Sequence, residues 1–319
     1  MQENIKSTPS SKFDYIFILK VLAIVFITNS HFKSIYSDNL SRFAFGGAMG
    51  CGIFFWVSGY TLNSCNKKTF LKWISKRIIR IYPALWIFYA ATGAYYSWTV
   101  FLWPHLWFLK AILCFYVLFY FYAKYFKKYY RLILLGLLFA FLVEYYFINH
   151  SCWMIDNAVN PYKIHWIYYF GFMIIGAKAR DKSQLKEQKV QKTQSLLLVL
   201  LSFSLFICTY GLKFLCINMP ILMNLQILFP LLLLASCSAI FKMAKTIKLK
   251  GIWGNIVKWI AGLTLEIYIV QEWIIAKLNG MLEFPIRLFV TLGVIVVTAF
   301  VLHWITQKLT NPIINYLIK

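Results

Sequence analysis

Apolar stretches of about 20 residues, each long enough to cross the roughly 30 Å hydrocarbon layer as a helix, recur between short polar connections along the whole chain. The pattern predicts helices over 14–32, 43–63, 80–97, 105–123, 131–148, 165–180, 194–212, 221–241, 257–276 and 285–306. The expected fold is therefore all-α, a polytopic membrane helix bundle of about ten transmembrane helices. Residues 1–319 are read as a single integral membrane domain, since no composition shift marks a soluble module. Internal repeats, Gly/Ser linkers and low-complexity tracts are not evident, so the sequence gives no direct support to an inverted-repeat transporter.

Composition agrees with the pattern. The chain is 61% hydrophobic and only 13% charged, with a mean hydropathy of +0.67, whereas soluble chains carry about 25% charged residues. The net charge of +23 is distributed as the positive-inside rule requires. Lys67, Lys68, Lys72, Lys76, Arg77 and Arg80 follow the second span, and Lys124, Lys127, Lys128 and Arg131 follow the fourth. Six more lie between Lys178 and Lys192, and Lys242, Lys245, Lys248 and Lys250 follow the eighth span. With Lys6, Lys12, Lys258, Lys308 and Lys319, the cytoplasmic side holds 25 of 33 basic residues. Six lie outside (Lys33, Arg42, Lys163, Lys213, Lys277, Arg287), and Lys20 and Lys110 fall within spans. Both termini are thus expected in the cytoplasm.

Basic loops beside anionic lipid explain the charge without nucleic acid, for which no reading motif is present. The first span follows polar residues and lacks a small-residue cleavage site, so it reads as an uncleaved helix. The seven cysteines are scattered without metal-ligand spacing and read as small packing residues; no metal is expected. Trp98, Trp103, Trp153 and Trp166 sit at expected outer boundaries, as an interfacial belt requires.

Because a polar group in hydrocarbon is costly, the residues that interrupt the apolar runs carry the chemistry. Asp14, Lys20 and His31 mark the first span. Lys20 and His31 are eleven residues apart, about 16 Å along a helix and within about 20° of one face. They either face a polar cleft or snorkel to opposite interfaces. The second span holds small residues, Gly46-Gly47-Ala48-Met49-Gly50-Cys51-Gly52, then Phe54-Phe55-Trp56-Val57-Ser58-Gly59-Tyr60. Small residues admit another backbone or a thin ligand arm, and Ser58 lacks the Gly-x-Ser-x-Gly setting of a nucleophile elbow. In the basic stretch 72–83, Arg77 and Arg80 stand at helical spacing before Pro83. Two guanidinium forks suit phosphate, and equally suit topology and lipid contact. Glu144, Lys110, Glu266 and Glu272 are further charges that either line a site or form internal ion pairs.

These motifs together resemble the acyltransferase-3 family of integral membrane acyltransferases, whose members modify surface polysaccharides and other acceptors. Asp14-x5-Lys20-x10-His31 is similar to the family's first helix, and Phe54-Phe55-x2-Ser58-Gly59-Tyr60 to its second. Arg77-x2-Arg80-Ile81-Tyr82-Pro83 resembles its Arg-x-x-Arg stretch, and His105-Leu106-Trp107-Phe108-Leu109 its entry to the fourth helix. Residues 262–271 resemble a late segment in which Gln271 stands where the family usually has His, and Lys20 stands where Arg is commoner. The Gln substitution puts any role for a second histidine in doubt.

The resemblance implies transfer of an acyl group, expected to be acetyl, from acyl-CoA to a hydroxyl of a carbohydrate or lipid-linked glycan, within a bacterial cytoplasmic membrane. His31 is implied as catalytic general base, with Lys20 its electrostatic partner. Arg77, Arg80, Ser58 and Tyr60 are implied to bind the acetyl-CoA donor, and Trp107, Glu144, Tyr268 and Gln271 the substrate. Since CoA is cytoplasmic and His31 lies toward the outer half, its phosphates are expected on Arg77 and Arg80, with the pantetheine arm threading inward. Ten helices with buried charges would equally serve a polysaccharide or small-molecule exporter, or a non-enzymatic partner in glycan assembly.

Overall fold

The computed structural model describes residues 14–65, 69–93, 102, 104, 106–157, 163–185 and 192–318. Lys6, Lys12, Lys67, Lys68, Trp98, Trp103, His105, Lys186, Lys189 and Lys319 lie outside the described residues. Helices follow one another as α1 (Asp14–His31), α2 (Gly47–Leu62), α3 (Phe70–Thr92), α4 (Trp107–Phe121), α5 (Tyr130–Phe147) and α6 (Ile164–Leu185). The order continues with α7 (Lys192–Asn218), α8 (Phe229–Ala244), α9 (Gly251–Gly262), α10 (Thr264–Leu278) and α11 (Ile286–Ile318). No strand occurs among the described residues. The protein is an all-α membrane bundle, the architecture that satisfies every backbone group without water.

Six helical stretches are long and apolar enough to span a bilayer, and the bent pair α9 and α10 makes a seventh. One of the six, Trp107–Phe147, is 41 residues long, which straight would measure about 60 Å, twice the hydrocarbon thickness. Ring contacts show that it folds back on itself. Phe115 of α4 meets Trp166 and Phe170 near the start of α6, and Phe141 of α5 meets Tyr168 at the same level. Between them, a π-helical turn at Tyr122–Phe126 and a 3-10 turn at Lys127–Tyr129 reverse the chain beside Asp181. α3 and α6 fall outside the six because charged residues crowd their basic ends.

The boundaries differ most from the sequence pattern at three places. α3 starts at Phe70, so the basic stretch 72–83 is helix and Pro83 lies inside it. The expected span 257–276 is two helices meeting at 67°. Gly262 propagates a helix poorly, and the Thr264 hydroxyl donates to the Ala261 carbonyl at the break. α11 runs to Ile318, beyond the expected 306, and carries Pro312 within it.

α2 lies at the centre. Its spanning window is 61% buried, against 6% for Trp107–Phe147 and 11% for α7, whose Leu, Val and Phe side chains face outward as lipid-exposed helices do. α2 packs on α1, α6 and α8, and α1 also packs on α8, α9 and α10. Glycine sets the two closest approaches. A β-carbon on Gly59 would stand 1.7 Å from the Met173 carbonyl oxygen, and one on Gly176 would stand 2.1 Å from that of Trp56. The small residues of the second span thus admit a neighbouring backbone. Around this crossing, Phe55 packs against Phe108, Phe115 and Tyr169.

The basic segments gather at one end of the bundle. Lys127 bonds Asp181 at 2.9 Å, Lys258 pairs with Asp14 at 3.5 Å, and Lys245 lies over the Tyr15 ring. At the opposite end Lys213 pairs with Asp156, and Arg287 donates to the Ile35 carbonyl.

Candidate active site

α1 is unbroken from Asp14 to His31, so Lys20 and His31 share a face about 16 Å apart. His31 is its last residue, at the end of the bundle away from the basic loops. His31 Nδ1 lies 3.7 Å from Glu272 Oε1, with side-chain exposures of 32% and 44%. That separation exceeds a hydrogen bond, so the pair meets by charge. One turn earlier, buried Thr28 donates to Gln271 Oε1 at 2.7 Å. Gln271 is fully buried and its Nε2 has no partner. An amide donor left without an acceptor in a bundle interior is costly. The packing of α1 on α10 therefore joins the first and the late sequence motifs at His31.

Tyr268, one turn before Gln271, packs its ring 5.2 Å from Phe108. The neighbouring Trp107 meets His165 edge-on at 4.9 Å and stacks on Tyr169 at 6.1 Å. His165 is buried, with both ring nitrogens unpartnered. Trp107 and Tyr268 thus belong to one aromatic wall running through Phe108. Glu144 does not join them. It lies on α5, which packs against α6, and its Oε2 is buried without a partner.

Toward the basic end, Lys20 and Arg80 lie close enough for their charges to repel, and Arg77 feels Arg80 in the same way. Like charges gathered with no carboxylate paired to them among the described residues suit an anion. The two arginines are not presented alike. The Arg77 guanidinium sits 5.7 Å from the Trp73 ring and 5.9 Å from that of Tyr116, with its Nε buried and unpartnered. Arg80 is exposed. One fork is clasped by aromatic faces and the other is open.

The second-helix residues stand elsewhere. The Tyr60 and Tyr15 hydroxyls share a hydrogen bond of 2.6 Å, and Arg180 Nη1 donates to the Tyr60 oxygen at 3.4 Å. Ser58, half-buried beside Gly59, offers its carbonyl to Thr61. Glu266 pairs with His303 Nδ1 at 2.8 Å, while His303 Nε2 meets Gln307 Nε2 at 2.8 Å. With that amide donating, Nε2 accepts and Nδ1 carries the hydrogen toward Glu266. Glu266 is thus held in an internal pair.

Thr28, the pairing of Glu272 with His31, His165 and Arg180 are the contributors that spacing did not single out. Only Glu272 carried a signal, as a charge beside Gln271 in an apolar run.

No curated protein and no solved structure matches the chain. The family model described as an acyltransferase domain, of the acyltransferase-3 type, matches residues 13–306. That match takes in the His31 helix, both arginines and the α10 segment that meets His31, and the chain belongs to the acyltransferase-3 family of membrane acyltransferases.

Proposed function

We propose that the protein transfers an acetyl group from acetyl-CoA to a hydroxyl of a carbohydrate or lipid-linked glycan, with His31 as general base. The observation that carries this reading is the placement of His31 against Glu272, beside the unpartnered amide of Gln271. A carboxylate facing Nδ1 favours the tautomer that leaves Nε2 to accept a proton, and stabilises the imidazolium that forms. His31 Nε2 takes the hydroxyl proton as the acceptor oxygen attacks the thioester carbonyl. The Gln271 N–H groups supply hydrogen bonds to the oxyanion of the tetrahedral intermediate. The C–S bond then breaks, the CoA sulfur takes the proton back from the imidazolium, and an ester and a free thiol leave. Trp107 and Tyr268 provide an aromatic wall for the acceptor.

On this reading the basic end is cytoplasmic, both termini are cytoplasmic and the membrane is the bacterial cytoplasmic membrane, with the whole chain working as one unit. Lys20, Arg77 and Arg80 then meet the CoA phosphates from the cytoplasmic side, and the pantetheine arm covers the distance to His31. The clasped Arg77 fixes its geometry in advance, while the open Arg80 is free to close on a phosphate.

Purified protein in proteoliposomes, supplied with acetyl-CoA and a glycan acceptor, tests the reading. Free CoA thiol and acetylated glycan should appear in equal amounts. Thiol release without ester formation would mean hydrolysis, and neither product would remove the assignment.

A further inference from the structure

At the end of the bundle away from the basic loops, the segment that leaves the His31 helix closes on the loop that follows Glu272. Ser37 lies six residues after His31, and Gly280 eight after Glu272. α10 stays helical to Leu278, which stands about 9 Å beyond Glu272 along the helix axis, and the loop begins there. Between the two segments opens a cavity of about 730 Å³, lined by Ser37 from the first and by Gly280, Glu283, Phe284 and Arg287 from the second. Its size falls in the range of ligand clefts, roughly 300–1,000 Å³.

Two links tie this loop to the His31 helix. Arg287 Nε donates to the Ile35 carbonyl at 3.0 Å. The Phe284 ring lies 6.2 Å from that of Tyr36, and the Tyr36 hydroxyl donates at 2.7 Å to Oδ1 of Asn29, two residues before His31. The cavity is therefore held at a set place relative to His31 and Glu272. Its lining combines a hydroxyl, a carboxylate, a guanidinium and an aromatic ring. The Glu283 carboxylate enters none of the ion pairs among the described residues. A sugar hydroxyl donates to such a carboxylate and accepts from a guanidinium, and the C–H face of a sugar ring packs on an aromatic face. The carboxylate disfavours a phosphate or other polyanion in the same cavity, because like charges repel.

We propose that this cavity is a second saccharide subsite, which holds a neutral sugar unit of the acceptor while another unit of the same chain meets His31. The assignment rests on the acetyl transfer to a glycan proposed above, and it narrows the acceptor. The distance from Glu272 to the loop is longer than one sugar ring, so a single monosaccharide cannot occupy both places. The acceptor is therefore an oligosaccharide or polymer chain. Glu283, Phe284 and Arg287 select it by the hydroxyl pattern of a unit that is not itself acetylated.

The test uses the full-length protein in proteoliposomes. Its probes are oligosaccharides released by mild acid from the surface glycan of the cells that carry it, stripped of esters by base and sized into one-unit and four-unit fractions. Acetyl transfer is measured as kcat/KM for each fraction, and binding of each without acetyl-CoA by calorimetry. The parent should prefer four units to one by about tenfold or more. Glu283→Ala, at an exposed position where folding is not at stake, should reduce that preference to about twofold or less. Phe284→Leu, which keeps an apolar side chain but no ring, should reduce it in part. Equal kcat/KM for the two fractions in the parent, or a preference unchanged in both variants, overturns the subsite. Absence of transfer to either fraction removes the acetyl-transfer reading instead, and binding then decides the cavity. A four-unit affinity above the one-unit affinity in the parent, with the difference lost in Glu283→Ala, upholds the subsite, and any other binding pattern overturns it.

Discussion

A β-carbon on Gly59 would lie 1.7 Å from the carbonyl oxygen of Met173, so α2 and α6 touch backbone to backbone at this point. No side-chain rotation relieves that contact. The crossing orders the Phe55 aromatic cluster and carries Tyr60 to Arg180, and the interior of the bundle depends on it.

Gly59→Ala and Gly176→Ala should therefore destabilise the protein by about 3 kcal/mol or more each, the upper end of ordinary overpacking. Thermal unfolding in detergent reads this directly. Gly136→Ala, inside α5 at a position open to space, should leave the midpoint unchanged or raise it slightly, since alanine favours helix over glycine. Equal midpoints for all three variants would show that the helices do not meet this closely.

Much of the fold was legible in the sequence because hydrocarbon imposes one rule on every span. α1 and α2 appear where apolar runs end, and alternating basic clusters gather at one end. The broken α9 and α10 escaped that reading because the stretch around the break, Trp259–Leu265, carries no charge to mark it. A bend at Gly262 costs no hydropathy. The starting point of α3 escaped it for the opposite reason, since Lys72, Lys76, Arg77 and Arg80 look like a loop yet lie on helix. The candidate site was legible where a motif repeats a charge at fixed spacing, as with Lys20 and His31. Thr28 and Arg180 were not, because their roles arise from contacts between distant segments: Thr28 meets Gln271 across 243 positions and Arg180 meets Tyr60 across 120.

The proposed role of Glu272 predicts an effect on turnover without one on stability. Both members of its pair with His31 are substantially exposed, and such pairs add about 1 kcal/mol or less to folding. Glu272→Gln should reduce kcat by about ten- to a hundredfold, since loss of the carboxylate destabilises the imidazolium. KM for acetyl-CoA should stay within about twofold, given that Glu272 is at the opposite end from the basic cluster. A KM change with kcat preserved would move Glu272 out of the proton-transfer step.

The unequal settings of the two arginines predict unequal responses to substitution. Arg80→Lys should keep part of the affinity for CoA, because an exposed ammonium still attracts phosphate. Arg80→Ala should cost about 1.5–3 kcal/mol of binding, the value of a charge-assisted contact. Arg77→Lys should lower stability as well, since an ammonium cannot stack between Trp73 and Tyr116 as a guanidinium does. Calorimetry with CoA, paired with unfolding curves, separates the two effects. CoA affinity equal to the parent's in both alanine variants would place the donor phosphates elsewhere.

Orientation is tested by single cysteines introduced near Lys127 and Lys248 in a cysteine-free background. Both positions should react with membrane-impermeant maleimide only after the membrane is opened. Labelling of both in intact cells would invert the bundle, and with it the side from which the donor enters.

The central claim is that His31 performs acetyl transfer to a glycan hydroxyl. The direct measurement is mass analysis of surface glycans from cells carrying the parent protein, no protein, or the His31→Ala variant at matched membrane levels. An acetyl ester present with the parent and absent in the other two is the predicted result. An ester that persists with His31→Ala, or glycans identical in all three, would contradict it.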